Sequence, residues 1–413
     1  MIKGFERWLD NYASITVNFG LNVQAGQDVI IFAPIESPDF VRLTVSKAYE
    51  AGANQVFVEW SDEAVTRIRF EKAPDASFAI YPDWQQRTYE ELVAADAAFL
   101  YIYSPNPELL QGIAPARIAA AQKASATANK KFMDAKLSAK VSWTIVSVPT
   151  EAWSNKVFAE LPKEARIDAL WKQIFSITRS DQEDPLAAWQ RHLQSLSEKL
   201  DYFNDKRFKT LHYKAPGTSL SIELPKEHLW VGGGMTSGSG VAFQPNIPTE
   251  EIFTMPLVNG VNGTVASTKP LNYAGNLIDR FSITFKDGRI TDFSAQQGEE
   301  TLKQIIETDD GAHYLGEVSL VPFHSPISET GLIFYNTLFD ENASCHLAIG
   351  ASYPFNYRGG RQMSEQQLKE KGANYSSTHV DFMVGSADLS IDGELPSGER
   401  IALFRHGDWA PLH

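Results

Sequence analysis

Cysteine is almost missing from this chain, with one residue, Cys345, in 413. No disulfide can close within a chain that carries one thiol, and zinc modules built from paired cysteines are excluded. Long apolar runs are also missing, so no segment reads as a membrane span. The opening stretch MIKGFERWLDNYASITVNFG mixes charges with apolar residues and lacks the uninterrupted apolar core of a secretory signal. Basic residues are outnumbered, 37 Lys and Arg against 51 Asp and Glu, for a formal net charge of −14. That balance argues against nucleic acid as a partner, because phosphate binding needs a basic surface. It suits either divalent cations or a merely solubilising surface. A reducing cytoplasm and no membrane partner are the expectation.

Two nucleophile and nucleotide signatures are missing as well. No G-x-G-x-x-G follows the strand predicted at Asp28 to Phe32, and no G-x-S-x-G elbow occurs anywhere. The glycine-rich W-V-G-G-G-M-T-S-G-S-G, from Trp230 to Gly240, lacks the Lys-Ser/Thr pair of a P-loop and reads as a loop bordering an active site. Cys345 beside His346 is no thiol nucleophile, since adjacent side chains seldom face one another.

What is present divides into two textures. Residues 1–205 alternate helix and strand. Phe5, Leu9, Ala13, Ile15 and Leu21 mark one face of an opening helix. DVIIFAP, NQVFVEW, AAFLYIY and VSWTIVSVP are short strands, with helices at Asp39 to Ala51 and Pro115 to Asn129 between them. Short buried strands separated by helices predict an α/β domain with a mainly parallel sheet. Asp181 to Lys209 reads as a helical connection. Residues 206–413 then turn strand-rich, with strands predicted at TSLSIELP, SITFKDGRI, VSLVPF, GLIFYNTLF and THVDFMVG. The second part is read as an α+β domain carrying the chemistry.

Four segments of that part hold metal-ligand residue types. In T-H-V-D-F-M-V, strand alternation sets His379 and Asp381 on one face and Val380, Phe382 and Val384 on the other. That is a rigid imidazole–carboxylate pair, although H-x-D also describes a surface strand with a polar face. F-D-E-N-A-S-C-H brings Asp340, Glu341 and His346 close in sequence, as would a turn rich in capping residues. In Y-L-G-E-V-S-L-V-P, Glu317 opens an apolar run, where a carboxylate is costly unless paired or exposed. N-I-P-T-E-E-I-F-T offers Glu250 and Glu251, of which strand geometry turns only one inward. Four or five carboxylates and two histidines match the needs of two divalent ions sharing a ligand better than those of one structural zinc. His192, His212, His228, His313, His324, His406 and His413 lack such acidic company and read as surface or core residues.

The four segments together resemble the M29 family of metallopeptidases, the thermophilic-type aminopeptidases. G-L-N-V-Q-A-G-Q near the N-terminus and H-L-W-V-G-G-G match as well, and order and spacing agree over essentially the whole chain. The resemblance implies an exopeptidase that removes N-terminal residues using two divalent ions (Zn, Co or Mn), acting on peptides with a free N-terminus and assembled as a homodimer. It implies Glu251, Glu317, Glu341, His346, His379 and Asp381 as ligands, with Glu317 the bridge, and Tyr353 of G-A-S-Y-P as a hydrogen-bond donor to the developing oxyanion. A metal-dependent amidase acting on other substrates, or a silent peptide-binding protein on the same scaffold, are the alternatives.

Overall fold

The computed structural model describes residues 2–273 and 276–411; His413 lies outside them. The chain forms two compact units, one of Met1–Gln190 with Gly234–Pro248 and one of Arg191–Gly233 with Thr249–His413.

The first unit is built on four parallel strands, β1 (Val29–Pro34), β2 (Val56–Ser61), β3 (Ala98–Ile102) and β4 (Trp143–Val146), in the order β2-β1-β3-β4. β1 and β3 are apolar along nearly their whole length because helices cover both of their faces. One face holds Ile30, Phe99, Phe132, Tyr89 and Val141. The linking helices start where the sequence signals them. Pro38 opens Pro38–Glu50 with Asp39 in its first turn, and the Asp62 carboxylate accepts from the amides of Ala64 and Val65 to cap Glu63–Lys72.

The second unit is strand-rich and mostly antiparallel. Among its described residues, nine strands form one sheet running from Leu271–Tyr273 through Asn276–Lys286, Val261–Ala266, Thr218–Glu223, Thr210–Ala215 and Ser390–Glu394 to Arg400–Arg405 and Asp408–Trp409, with Arg289–Gln297 paired to Asn276–Lys286. A second sheet holds β5 (Val231–Gly232), β6 (Ile252–Thr254), β7 (Leu315–Leu320), β8 (His346–Gly350) and β9 (His379–Met383), in the order β9-β8-β7-β6-β5. The two sheets share one core, in which Leu211, Ile222, Val261 and Ile283 meet Leu315, Val318, Leu347, Ile349 and Phe382. That packing uses up one face of the β5–β9 sheet and leaves the other for chemistry.

One predicted strand is absent. Gly331–Phe339, read as GLIFYNTLF, forms no strand; Thr337–Asp340 is a helical turn. The apolar run is broken by its polar members: the Asn336 side chain accepts from Leu338 N, and Asp340 accepts from the amides of Phe334 and Asn336. Local side chain–backbone bonds outcompete a ladder there.

Lys136, on the helix Lys130–Leu137 of the first unit, is only 8% exposed. Its ammonium lies 3.9 Å from the centre of the Tyr101 ring and 4.6 Å from that of Trp143. Burial lowers its pKa from 10.5 to about 8. Between those values the unfolded chain holds more protons than the folded one, so this group's contribution to stability rises with pH in that window. Thermal unfolding of the wild type and Lys136→Met, followed from pH 8 to pH 10, should show the wild type gaining on the variant.

Candidate metal centre

The exposed logic of β9 is the alternation read from its sequence. Val380 and Phe382 go into the core, while His379 and Asp381 stand on the opposite face. The neighbouring strand meets them with small residues. Ala348 is paired with Asp381 and also with Glu317, and Gly350 is paired with His379. A larger side chain at Ala348 would crowd the functional groups on either side of it, and a Cβ on Gly350 would lie 2.1 Å from the Thr378 carbonyl oxygen.

Glu317 reaches the same face by an irregularity. Leu315 pairs with Ile349 and Glu317 with Ala348, so the register slips by one residue between them. In a regular strand, residues two apart share a face, and Glu317 would follow Leu315 into the core. The bulge at Gly316 breaks that phase and turns Glu317 outward. Only glycine fits there: a Cβ would lie 2.2 Å from the Ala351 carbonyl oxygen and 2.3 Å from that of Gly350.

Six donors converge on this face. Glu251, Glu317 and His346 form one group and Glu317, His379 and Asp381 another, each with ligand atoms within 4.8 Å of one another. Glu317 belongs to both. Its Oε1 is 3.3 Å from His346 Nε2 and its Oε2 is 3.7 Å from His379 Nε2. Glu251 Oε2 is 3.3 Å from His346 Nε2 and accepts a 2.6 Å hydrogen bond from the Ser319 hydroxyl. Glu341, on the turn Glu341–Ala343, falls outside both groups but close enough for its charge to interact with Asp381 and Glu251. Of the adjacent glutamates, Glu251 turns to the cluster; Glu250 turns away, its amide donating to Asn342 Oδ1 and its carboxylate 3.4 Å from His192 Nε2.

Backbone carbonyls set the histidines. His379 Nδ1 donates to the Ala351 carbonyl at 2.8 Å and His346 Nδ1 to that of Ser344 at 3.3 Å. A carbonyl can only accept, so Nδ1 carries the proton and each Nε2 is left facing the carboxylates. The segment entering β9 is fixed too. Asp309 accepts from the Ser376 hydroxyl and from the amide and hydroxyl of Ser377, each at 2.7 Å. These bonds outweigh burial and hold its carboxyl below the usual range.

Burial dominates the electrostatics. It lifts the Glu317 carboxyl to about 7 against the opposing pull of His346 and His379. It raises Glu341 well above the ordinary value, with the charges of Asp381 and Glu251 adding to the effect. It would depress His379, but the charge and close polar contact of Asp381, the charge of Glu317 and the Ala351 carbonyl together outweigh it and carry the imidazole to about 10. Tyr353 is raised by burial and then by the charges of Glu317 and Asp381, which keeps it a neutral phenol.

The residues fit divalent cations on their own chemistry. Asp381 Oδ1 is buried, and His379 Nε2 stands 3.2 Å from it in poor alignment for a hydrogen bond. Two ligand atoms that close on one face are spaced as co-ligands of one cation are. Carboxylate oxygens and imidazole nitrogens without thiolates suit Zn, Co or Mn.

Glu251, Glu317, His346, His379, Asp381 and Tyr353 lie at or beside this face and Glu341 lies near it, whereas Glu250 turns to His192 and Asp340 to the amides of Phe334 and Asn336. His192 and Ser319 were not singled out. Ser319 was accessible, because it sits two residues after Glu317 and shares its face; His192 was not, since its neighbour Glu250 is far along the chain. Val231–Gly232, from the glycine-rich segment, pairs with β6, and a Cβ on Gly232 would lie 2.4 Å from the Glu251 carbonyl oxygen.

A unit with a parallel sheet and a second unit whose antiparallel sheet carries a face of carboxylates and imidazoles define a two-unit protein with a candidate divalent-metal centre. The thermophilic metalloprotease family (M29) matches residues 5–409, and the chain belongs to that family. It is 53% identical to Aminopeptidase 2 of Geobacillus stearothermophilus over 98% of both chains. It is 49% identical to Aminopeptidase AmpS of Bacillus subtilis (strain 168) over 99% of this chain and 100% of that one. The solved structure of wild-type AmpT from Thermus thermophilus superposes with a TM-score of 0.93 at 39% identity, covering 98% of this chain and 100% of that one.

Gly316→Ala should cost about 1–3 kcal/mol of stability, as forced overpacking does, and should also weaken metal binding by turning Glu317. Thermal unfolding with and without added Co²⁺ measures both, and a variant with wild-type midpoints in both conditions would contradict the role given to the bulge.

Proposed function

We propose that this chain is a metal-dependent aminopeptidase that hydrolyses N-terminal residues from peptides, with the chemistry carried by residues 206–413. The observation that supports it most is the sharing of Glu317, whose two oxygens turn to two different histidines. Glu251 and His346 would hold one cation, His379 and Asp381 a second, and Glu317 would bridge them, with Glu341 completing the set. Divalent cations at such a centre supply Lewis acidity and make a nucleophilic water available at neutral pH.

The chain's own residues do the rest. Carbonyls of Ala351 and Ser344 fix the imidazoles, and the Ser319 hydroxyl fixes Glu251, so the ligand atoms need no rearrangement. Tyr353, whose ring lies 4.9 Å from that of His379, offers a neutral O–H to the oxygen on which charge develops. Surplus carboxylate charge on this face suits the free α-ammonium of a peptide, which restricts cleavage to N-termini. A homodimeric assembly and a cytoplasmic location belong to the same reading.

Hydrolysis of aminoacyl-nitroanilides should vanish on chelation and return with added Zn²⁺, Co²⁺ or Mn²⁺. Peptides with blocked N-termini should not be cleaved. Chelator-resistant cleavage, or equal rates on blocked and free peptides, would contradict the proposal. Asp381→Ala should abolish turnover while leaving the far-ultraviolet circular dichroism spectrum unchanged.

A further inference from the structure

One flank of the metal-binding face is aromatic. Tyr353 stacks on Phe355 with ring centres 5.2 Å apart and planes 7° from parallel, while its ring also meets His379. Phe253 stands edge-on to both, 6.1 Å from Tyr353 and 6.0 Å from Phe355. Phe253 lies on β6 between buried Ile252 and Thr254, and its register partner is Ser319, the residue that holds Glu251. Phe253 and Phe355 both keep part of their surface uncovered. The guanidinium of Arg361 closes the far end, 5.9 Å from the centre of the Phe355 ring.

We propose that Phe253 and Phe355 form the wall that receives the side chain of the substrate's N-terminal residue, so that large apolar and aromatic N-termini are preferred to alanine. The inference rests on the aminopeptidase reading. The carbonyl served by Tyr353 is one bond from the α-carbon bearing the N-terminal side chain and two bonds from that of the next residue. The ring stacked on Tyr353 is assigned to the first of these, and two peptide series distinguish the two positions. Aromatic walls supply apolar contact with little side-chain entropy to lose.

The test uses the metal-loaded full chain and two peptide series, X-Gly with X = Ala, Leu or Phe, and Ala-Y with Y = Gly, Leu or Phe. Wild type should show higher kcat/KM for Leu-Gly and Phe-Gly than for Ala-Gly. Phe355→Ala and Phe253→Ala should cut the Phe-Gly to Ala-Gly ratio about tenfold or more, in the range that pocket contacts provide. The ratios in the Ala-Y series should hold. Phe355→Leu and Phe253→Leu, which keep apolar bulk, should lose less and decide the matter if the alanine variants fail to fold by thermal unfolding. An unmoved X-Gly ratio, or a change confined to the Ala-Y series, overturns the wall while the aminopeptidase reading stands. No hydrolysis of any peptide by metal-loaded wild type overturns both.

Discussion

The carboxylate of Glu317 turns one oxygen to His346 and the other to His379, and to do so it must leave the core side of a strand whose neighbours are buried. Most of the second unit serves that placement. The bulge at Gly316 changes the phase of β7, the shared core of the two sheets backs the strands, Ala348 keeps the centre of the face open, and Gly350 admits the Thr378 carbonyl beside β9. A carboxylate so deep in the protein is costly unless it is paired or coordinated. Its carboxyl, lifted to about 7 by burial, shows that cost directly. Divalent cations would offset it for Glu317, Glu251 and Asp381 together. The candidate centre and the local fold would in this sense be one structure, because cations held there would recover the cost of burying Glu317.

Legibility in the sequence followed the range of the physics involved. His379 and Asp381 were readable because strand alternation is a two-residue rule, and Val380 and Phe382 confirm it by going into the core. The parallel sheet of the first unit was readable from short apolar runs bounded by helix signals. Glu317 could be noticed as a carboxylate opening an apolar run, but its outward turn depends on two carbonyls, of Gly350 and Ala351, that crowd Gly316 from another strand. No local pattern carries that information. The resemblance to a known family joined segments that residue periodicity left separate.

The failed strand at Gly331–Phe339 has the opposite cause. Its apolar residues satisfied the strand pattern, yet Asn336 and Asp340 bind the backbone amides that a ladder would need. Side chain–backbone bonds over two to six residues occupy the donors that a neighbouring strand would need. His192 was set aside for want of acidic neighbours in sequence, and the fold places it against Glu250. Both results come from weighing residues by composition where hydrogen-bond partners decide.

The central claim is that Glu317 joins two cations. Anomalous diffraction from crystals of the zinc- or cobalt-loaded protein tests it most directly, by counting the ions and measuring their separation. The account predicts two ions about 3.5–4 Å apart, the spacing of two-metal hydrolytic sites, each in contact with a different oxygen of Glu317. A single ion, or two ions with Glu317 on only one of them, would contradict it.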